Sequence, residues 1–322
     1  MKRQWLFFAC ICTVIILSFS GCASQPKEQP VVQPNIDYLH ITDDAGRTVV
    51  LTKKPQRIAV LSTSLLDALY GVGGEAIGRP SSRAFAIFPS SQMAGEVGFE
   101  HDINMEQLLS LQPDLVIGLY GIHDELIPIL ENSKIPVIII KMKTYNDILA
   151  QVKLLGDIVG TPVKAQSLID KIQMKINAVV AKLPAQSKKV VILHVDSQEV
   201  TVELDNSITG NIAKILRLKN IAGGSKSLDN DPDMVPYSLE ELVKGDADTI
   251  LIVTRGNRAD IETRISTDIT SDPDWARLRA VQNGRVLFLP PELFQLNPGI
   301  RFHEAVDYMA KVVYPEIYGN AN

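Results

Sequence analysis

One segment of the chain occurs twice, and this internal repeat constrains the fold more than any other feature. The first copy, NMEQLLSLQPDLVIG at positions 104–118, has the pattern of a short helix that leads directly into a buried strand. The second copy, SLEELVKGDADTILI at 238–252, aligns with it without a gap, so that Glu240 corresponds to Glu106. A chain that builds one helix–strand unit in each half is expected to fold into two similar lobes.

Length and charge agree with a two-domain globular protein. The chain has 322 residues, of which 46% are hydrophobic, and its formal net charge is −5. No stretch of the sequence forms a basic stripe of lysine and arginine. A nucleic-acid partner is therefore not expected, because such partners require clustered positive charge.

Apolar runs of strand length alternate with segments of helical periodicity over most of the chain. A β-hairpin is predicted at 38–51, a strand at 57–61 and a helix after Ser62, Thr63 and Ser64, whose hydroxyls could cap it. Further strands are predicted at 114–118, 136–140, 189–195, 248–253 and 285–289, and further helices at 104–111, 123–132, 209–218, 238–244 and 301–313. This alternation predicts an α/β fold with mainly parallel sheets.

A long helical segment separates the two halves. Apolar residues recur at helical spacing from Ile148 to Val159 and again from Leu168 to Val179. The only strong breaker within 145–184 is Gly160-Thr161-Pro162, which permits a bend and a new helix start. We expect a long, nearly continuous helix here that leaves little freedom for a wide hinge motion.

The first residues have the pattern of an export signal. Lys2 and Arg3 precede an apolar stretch at 5–17, which is shorter than the about 20 residues that a membrane span requires. The motif SFSGC follows and is similar to a lipoprotein lipobox, with Phe19 where such motifs usually carry leucine. This resemblance implies a signal peptide at 1–21 and acylation of Cys22, and the alternative is an ordinary secretory signal with an incidental cysteine.

The residues that follow Cys22 are predicted to form a tether. The 3 cysteines stand at positions 10, 12 and 22, so cleavage before Cys22 leaves one cysteine and no possibility of a disulfide within the mature chain. Residues 22–36 are polar and contain Pro26, Pro30 and Pro34, a composition that favours extended, semi-rigid structure. We expect the folded part to work close to a membrane surface, because two acyl chains suffice for stable anchoring.

Two further segments, DPDWARLRAVQNGRVLFLP at 272–290 and LNPGIRFHEAVDYMAKVVYPEIY at 296–318, accompany the repeat. With the helical connector and the lipid tether, they make the chain resemble the substrate-binding lipoproteins of ABC importers over residues 38–318. The resemblance is to the class with a helical backbone (class III), which serves iron-siderophore, haem and cobalamin uptake. It implies two α/β lobes, at 37–144 and 185–322, joined by a long rigid helix at 145–184.

The same resemblance implies the protein's partners and location. We expect an extracytoplasmic, lipid-anchored monomer that captures an iron chelate, as siderophore or haem, and delivers it to a permease dimer with a cytoplasmic ATPase. A cobalamin or corrinoid ligand is the alternative. Neither an enzymatic activity nor a cofactor is expected, because the chain shows no Gly-x-Ser-x-Gly elbow, no Gly-rich phosphate loop and no His-x-x-x-His pair. A receptor with this fold but without a permease also stays open.

The resemblance assigns a role to the repeated glutamates. In this family one glutamate on each lobe binds arginines of the permease, and Glu106 and Glu240 occupy those motif positions. A carboxylate in the first turn of a helix is favoured by the helix dipole, and two such groups could grip a two-fold partner. The alternative is that both glutamates only cap their helices.

The ligand is expected between the lobes, against the loops that follow the strands. Guanidinium groups on these loops suit a carboxylate-bearing ligand. The candidate ligand-binding residues are Ser62, Thr63, Ser64, Arg79, Arg83, Tyr120, His123, Met234, Tyr237, Arg255 and Arg258.

A haem ligand would need an axial residue on the protein. A facing pair such as Tyr120 or His123 with Met234 or Tyr237 could hold the iron, although the same residues could equally supply apolar contact to a siderophore or cobalamin. His101 is a further loop candidate. No direct metal site is predicted, because the 5 histidines are scattered along the sequence.

Overall fold

The computed structural model of the protein describes residues 37–81, 88–229, 231–295 and 297–321. The predicted signal peptide, Cys22 and the tether lie outside these residues. The strands are β1 Leu39–Thr42, β2 Thr48–Leu51, β3 Ile58–Val60, β4 Gly78–Arg79, β5 Gly95–Glu96, β6 Gly98–Phe99, β7 Asp102–Ile103, β8 Leu115–Leu119, β9 Val137–Ile140, β10 Lys189–Asp196, β11 Val200–Glu203, β12 Lys219–Asn220, β13 Met234–Pro236, β14 Thr249–Arg255 and β15 Val286–Phe288.

Helices follow most of these strands. They are α1 Thr63–Gly71, α2 Met105–Ser110, α3 Ile127–Asn132, α4 Tyr145–Ile158, α5 Pro162–Val180, α6 Ile208–Ile215, α7 Leu239–Gly245, α8 Arg258–Arg264, α9 Arg279–Gln282, α10 Pro291–Phe294, α11 Phe302–Val313 and α12 Pro315–Tyr318. None of the described helices has both the length and the apolar composition required to cross a membrane.

The first lobe is built on a parallel sheet. Its strand order is β5-β4-β3-β8-β9, and all four neighbouring pairs run parallel. Val60 pairs with Ile117 across the two central strands. The predicted hairpin at 38–51 is confirmed as the antiparallel pair β1 and β2, which forms a separate two-stranded sheet.

The second lobe has a mixed sheet. Its strand order is β13-β11-β10-β14-β15, with β12 also paired to β10. The strands β12, β10, β14 and β15 are parallel, whereas β11 and β13 form an antiparallel flank. The sequence predicts mainly parallel sheets, and the antiparallel flank is an addition that the apolar runs do not indicate.

Both sheets are apolar on both faces, as buried parallel strands require. One apolar cluster covers the inner face of each sheet: it includes Val60 and Ile117 of the first and Ile192 and Val253 of the second, together with residues of α1, α4, α5 and α11. Separate clusters cover the outer faces. Because one cluster is continuous between the two sheets, the lobes share part of their core.

The segment between the lobes differs from a nearly continuous helix. It forms two helices, α4 and α5, and the chain turns at Gly160, which has a φ of +67°. Gly156 permits the close packing of these helices, since a Cβ there would lie 2.3 Å from that of Ala165. The predicted breaker at 160–162 therefore separates two helices, and α5, with 19 residues, is the long one.

The two copies of the repeat adopt the same local structure. Asp114 and Asp248 each accept a hydrogen bond from a backbone N–H at the start of the neighbouring strand, Arg57 at 2.8 Å and Lys189 at 2.7 Å. The helices α2 and α7 are each followed by a left-handed residue, Gln112 with φ 50° and Asp246 with φ 47°. Few residues other than glycine adopt this backbone conformation, so its occurrence at the same place in both copies strengthens the structural match.

Candidate functional site

A cavity of about 770 Å³ lies between loops that follow strands of the two sheets. This volume is within the range of small-molecule sites, roughly 300–1,000 Å³. The lining from the first lobe includes Thr63, Ser64, Asp67, Glu100, His101, Leu119, Tyr120, Ile122, Lys141, Met142, Lys143 and Thr144, and Asp147 of the connecting helix α4 adds to it. The lining from the second lobe includes Asn206, Ile208, Arg255, Pro291, Glu292, Gln295, Asn297, Pro298 and Arg301.

The lining carries both signs of charge, and its cations differ in how they are paired. Arg301 forms an ion pair with Glu304 at 2.9 Å, and Lys143 forms one with Asp233. The ammonium of Lys141 lies over the ring of Tyr120, 4.3 Å from its centroid. Within the described part of the chain, neither Lys141 nor Arg255 forms an ion pair with a carboxylate.

The carboxylates of the lining are partly committed to the protein itself. Asp147 forms a capping box with Thr144 at the start of α4. Glu100 accepts a hydrogen bond from the backbone N–H of Thr63 at 3.2 Å. Lys141 on one lobe and Arg255 on the other therefore remain available to an anionic ligand.

The start of α1 differs from the predicted cap. Ser62 stands at the N-cap position but its hydroxyl makes no capping hydrogen bond; it is buried and lies 3.0 Å from the hydroxyl of Ser64. The carboxylate of Glu100 accepts the N–H of Thr63 instead. Of the three predicted residues, Thr63 and Ser64 line the cavity, and Ser62 is buried behind Ser64 with the two hydroxyls within hydrogen-bond distance.

His123, which is predicted as a ligand contact, does not line the cavity. The side chain is buried, its Nδ1 accepts the N–H of Leu119 at 2.9 Å, and its Nε2 lies 2.8 Å from the carbonyl oxygen of Glu100. Burial lowers the pKa of this imidazole, in keeping with a neutral ring that accepts at one nitrogen and donates at the other. Both nitrogens are thus used to hold two cavity loops together.

Met234 and Tyr237 also differ from their predicted position. Met234 begins β13, which is the edge strand of the second sheet, with β11 between it and β10. Tyr237 packs against the outer apolar cluster of that sheet, and burial raises the pKa of its hydroxyl to about 12. Neither residue lines the cavity, so of the four proposed iron ligands only Tyr120 does.

The predicted arginines have separate outcomes. Arg255 ends β14 and lines the cavity. Arg79 lies outside the lining, and its guanidinium is paired with Glu96 at 2.9 Å. A hydrogen bond from Ser81, followed by this pairing with Arg79, lowers the pKa of the Glu96 carboxyl. Arg83 lies outside the described residues. Arg258 is the first residue of α8, and its side chain is outside the described part of the structure.

Sequence reasoning misses several residues of the lining. Lys141 and Lys143 follow β9 directly, and the motif KMK after an apolar strand is a usable signal, because loops at the ends of parallel strands converge. Asn206 and Arg301 come from segments whose position depends on how the lobes pack, and local sequence carries no comparable signal for them. His101, a secondary candidate, is in the lining.

The repeated glutamates do not supply the helix caps. The cap of α2 is Asn104, which accepts the N–H of Gln107 at 3.0 Å, and the cap of α7 is Ser238, which accepts the N–H of Glu241 at 3.3 Å. The carboxylates of the glutamates at 106 and 240 are therefore not needed for capping.

Each lobe presents one exposed carboxylate without an ion pair at this position. Glu106 and Glu240 are exposed, and neither forms a salt bridge with any other described residue. The additional acidic residue on α7, Glu241, is paired with Lys244 at 2.7 Å. The two helix starts are thus matched in local structure and in an exposed carboxylate without an ion pair. They differ in that Glu241 raises the pKa of Lys244 and the charge of Glu240 lies close enough to add to this effect.

Comparisons with known proteins agree with this architecture. The family described as periplasmic binding protein matches residues 58–293. An ABC transporter substrate-binding lipoprotein of Bacillus subtilis, YvrC, is 23% identical over 98% of this chain and 99% of its own length. The Fe(3+)-citrate-binding protein YfmC of the same organism is 25% identical over 94% of this chain and 96% of its own length.

A solved structure shares the fold. Staphylococcus aureus IsdE complexed with heme has a TM-score of 0.69 and 21% sequence identity, and the match covers 80% of this chain and 98% of that one. The chain belongs to the periplasmic binding protein family. The members of this family are solute-binding proteins of transport systems rather than enzymes, and the relative YvrC, which matches almost the whole chain, is named as an ABC transporter substrate-binding lipoprotein.

Proposed function

We propose that this protein captures an anionic ferric chelate outside the cytoplasm and delivers it to the permease of an ABC importer. The observation that carries the proposal is a pair of cations on opposite lobes of the cavity, Lys141 and Arg255, neither of which forms an ion pair with a described carboxylate; the charge of Arg255 also acts on the carboxyl of Asp196 and, against the effect of burial, helps to lower its pKa. A ligand with carboxylates at two sides can contact both, and charged hydrogen bonds of this kind contribute about 1.5–3 kcal/mol each.

A carboxylate-bearing ferric chelate of the citrate or siderophore type is the first candidate. Such a ligand brings its iron already coordinated and needs only charge and hydrogen bonds from the protein. The relative YfmC is named for Fe(3+)-citrate, which supports this class. Thr63 and Ser64 add hydroxyls beside the charged groups.

Haem is the second candidate, supported by two residues that can bind its iron. Tyr120 and His101 both line the cavity from the first lobe, and haem propionates could reach the same cations. The structurally similar IsdE is known with haem bound. The two lining cations Lys141 and Arg255 favour both anionic candidates over cobalamin, which carries no carboxylate for them to bind.

Delivery is proposed to use Glu106 and Glu240. Each carboxylate lies at the start of a short helix, and its freedom from ion pairs leaves it available to an arginine of the permease. Because the two helix starts have the same local structure, they suit the two equivalent subunits of a permease dimer. Acylation of Cys22 would keep a monomeric binding protein close to that permease.

The ligand proposal is tested by titrating the purified protein with ferric citrate, haemin and cobalamin. We expect one of the two iron ligands to bind, and Arg255→Ala and Lys141→Ala to weaken that binding by roughly tenfold or more. Arg79→Ala is the matched control, because its guanidinium is paired outside the cavity, and it should bind as the parent does. Binding of cobalamin alone, or equal binding by all three variants, would contradict the proposal.

A further inference from the structure

One ion pair connects the two lobes at the side of the cavity. Lys143 belongs to the segment between β9 and α4, and its side chain lines the cavity. Its ammonium is paired with the carboxylate of Asp233, which directly precedes β13 in the other lobe. Asp233 itself is not part of the lining. A cation that faces the ligand is thus already bound by an anion of the protein.

The carboxylate of this pair is held in place by its own lobe. Its Oδ1 accepts a hydrogen bond from Asn206 at 2.9 Å, the N–H of Asp233 donates to Asp231 at 2.9 Å, and its carbonyl oxygen accepts the N–H of Leu204 at 2.7 Å. The side chain of Asp233 is 21% exposed, against 38% for Lys143. The lysine, with its long flexible stem, is therefore the partner that can change position.

We propose that Asp233 is a specificity-determining residue, an internal anion that competes with the ligand for Lys143. This inference rests on the proposed function, because it requires an anionic ligand in the cavity. A chelate with a carboxylate near Lys143 replaces the ion pair between Lys143 and Asp233 with one between Lys143 and the chelate. Breaking the first pair reduces the binding free energy of the chelate by the free energy of that pair. A polyanionic chelate retains Lys141 and Arg255 as well, so it tolerates this loss better than an anion with a single charge does.

The competition gives Asp233 an unusual signature in binding experiments. A residue that supports the cavity weakens ligand binding when it is replaced. A competitor does the opposite, because its removal frees Lys143 for the ligand. Ion pairs with this degree of exposure are worth little, so we expect ferric citrate to bind Asp233→Asn about two- to fivefold more tightly than the parent.

The test is a double-mutant cycle with ferric citrate as the probe. Lys143→Gln should bind ferric citrate more weakly than the parent, and Asp233→Asn should give no gain in the Lys143→Gln background. Asp229→Asn is the matched control, since it removes an exposed charge from the same loop without breaking the ion pair, and it should leave the affinity unchanged. Asp233→Ser, which removes the charge without introducing an amide, should also bind ferric citrate more tightly than the parent, because the gain arises from the lost charge and not from contacts of the asparagine amide.

The outcomes separate this inference from the proposed function. If the parent binds neither ferric citrate nor any other anionic ferric chelate, both are overturned. If the parent binds but both Asp233 variants bind equally or more weakly, only the competition is overturned. A gain that persists without Lys143, or that Asp229→Asn reproduces, would also overturn it, because the effect would then be a general one of charge.

Discussion

The contact between the lobes at Gly299 leads to a quantitative prediction. This residue follows Pro298 in the second lobe and has a φ of +53°, and a Cβ on it would lie 3.2 Å from the carbonyl oxygen of Ser64 and 3.3 Å from its Cβ. The segment therefore packs against the start of α1 so closely that a side chain fits only if its neighbours shift by a few tenths of an ångström. Gly299→Ala should push the two lobes apart at the base of the cavity.

The cost of Gly299→Ala has two parts. The left-handed conformation costs an alanine roughly 1–2 kcal/mol, and the close contacts with Ser64 add about 1 kcal/mol or more, as overpacking does. We expect a total loss of about 2–3 kcal/mol in the free energy of unfolding, or roughly 3–5 °C in Tm for a chain of this size. Ligand affinity should fall as well, because Ser64 lines the cavity.

Thermal and denaturant unfolding of Gly299→Ala and Gly284→Ala provide the assay. Gly284 has a φ of +64°, and a Cβ on it would have no neighbouring atom within 4 Å, so its substitution carries only the conformational cost. The difference between the two variants measures the close approach of the lobes. Equal losses of stability, with ligand affinity unchanged in both, would refute the tight contact between Gly299 and α1.

Three further predictions concern pH, motion and anchoring. Burial lowers the pKa of His123 in the folded protein, so the neutral imidazole contributes stability above the pKa of about 6.5 that histidine has in the unfolded chain, and this contribution is lost as the pH falls below that value. Between about pH 7.5 and pH 5, Tm should therefore drop more for the parent than for His123→Gln. Equal drops in Tm would contradict this role of His123. Small-angle scattering curves with and without ligand should nearly superimpose, because one apolar cluster joins both lobes and limits hinge motion. A large compaction on ligand binding would show that the shared core does not limit this motion. Cys22→Ser should release the protein from membranes or leave its precursor unprocessed, whereas normal processing with unchanged membrane retention would exclude acylation at this residue.

Much of the fold can be predicted from the sequence because parallel strands are buried on both faces. The runs that form β8, β9, β10 and β14 are nearly uninterrupted apolar segments, and segments of helical periodicity lie between them. The antiparallel flank of β11 and β13 is not predicted, because its strands are short and mix polar with apolar residues. The predicted positions of Met234 and Tyr237 are wrong for this reason.

The site is predicted less well because it depends on contacts between distant segments. Arg79 and Arg255 both stand at the end of a strand, so the sequence does not distinguish them. In the structure Glu96, on the strand next to that of Arg79, forms an ion pair with Arg79 outside the cavity. His123 has the sequence context of a ligand-binding loop residue, yet its Nε2 is hydrogen-bonded to the carbonyl oxygen of Glu100. A partner that is far away in the sequence decides whether a polar side chain is free, and periodicity does not report such partners.

The most direct test of delivery through the two repeated carboxylates is uptake of radioactive iron, supplied as the chelate that the protein binds. It is measured in cells that depend on this protein and its permease, with Glu106→Lys, Glu240→Lys and the double variant, beside ligand binding by the same three purified proteins. We predict that the double variant binds ligand as the parent does but supports no uptake, because like charges then meet at the permease and cost several kcal/mol; each single variant should retain part of the uptake. Normal uptake by the double variant would contradict delivery through these carboxylates, and a loss of ligand binding would place them in the ligand site instead.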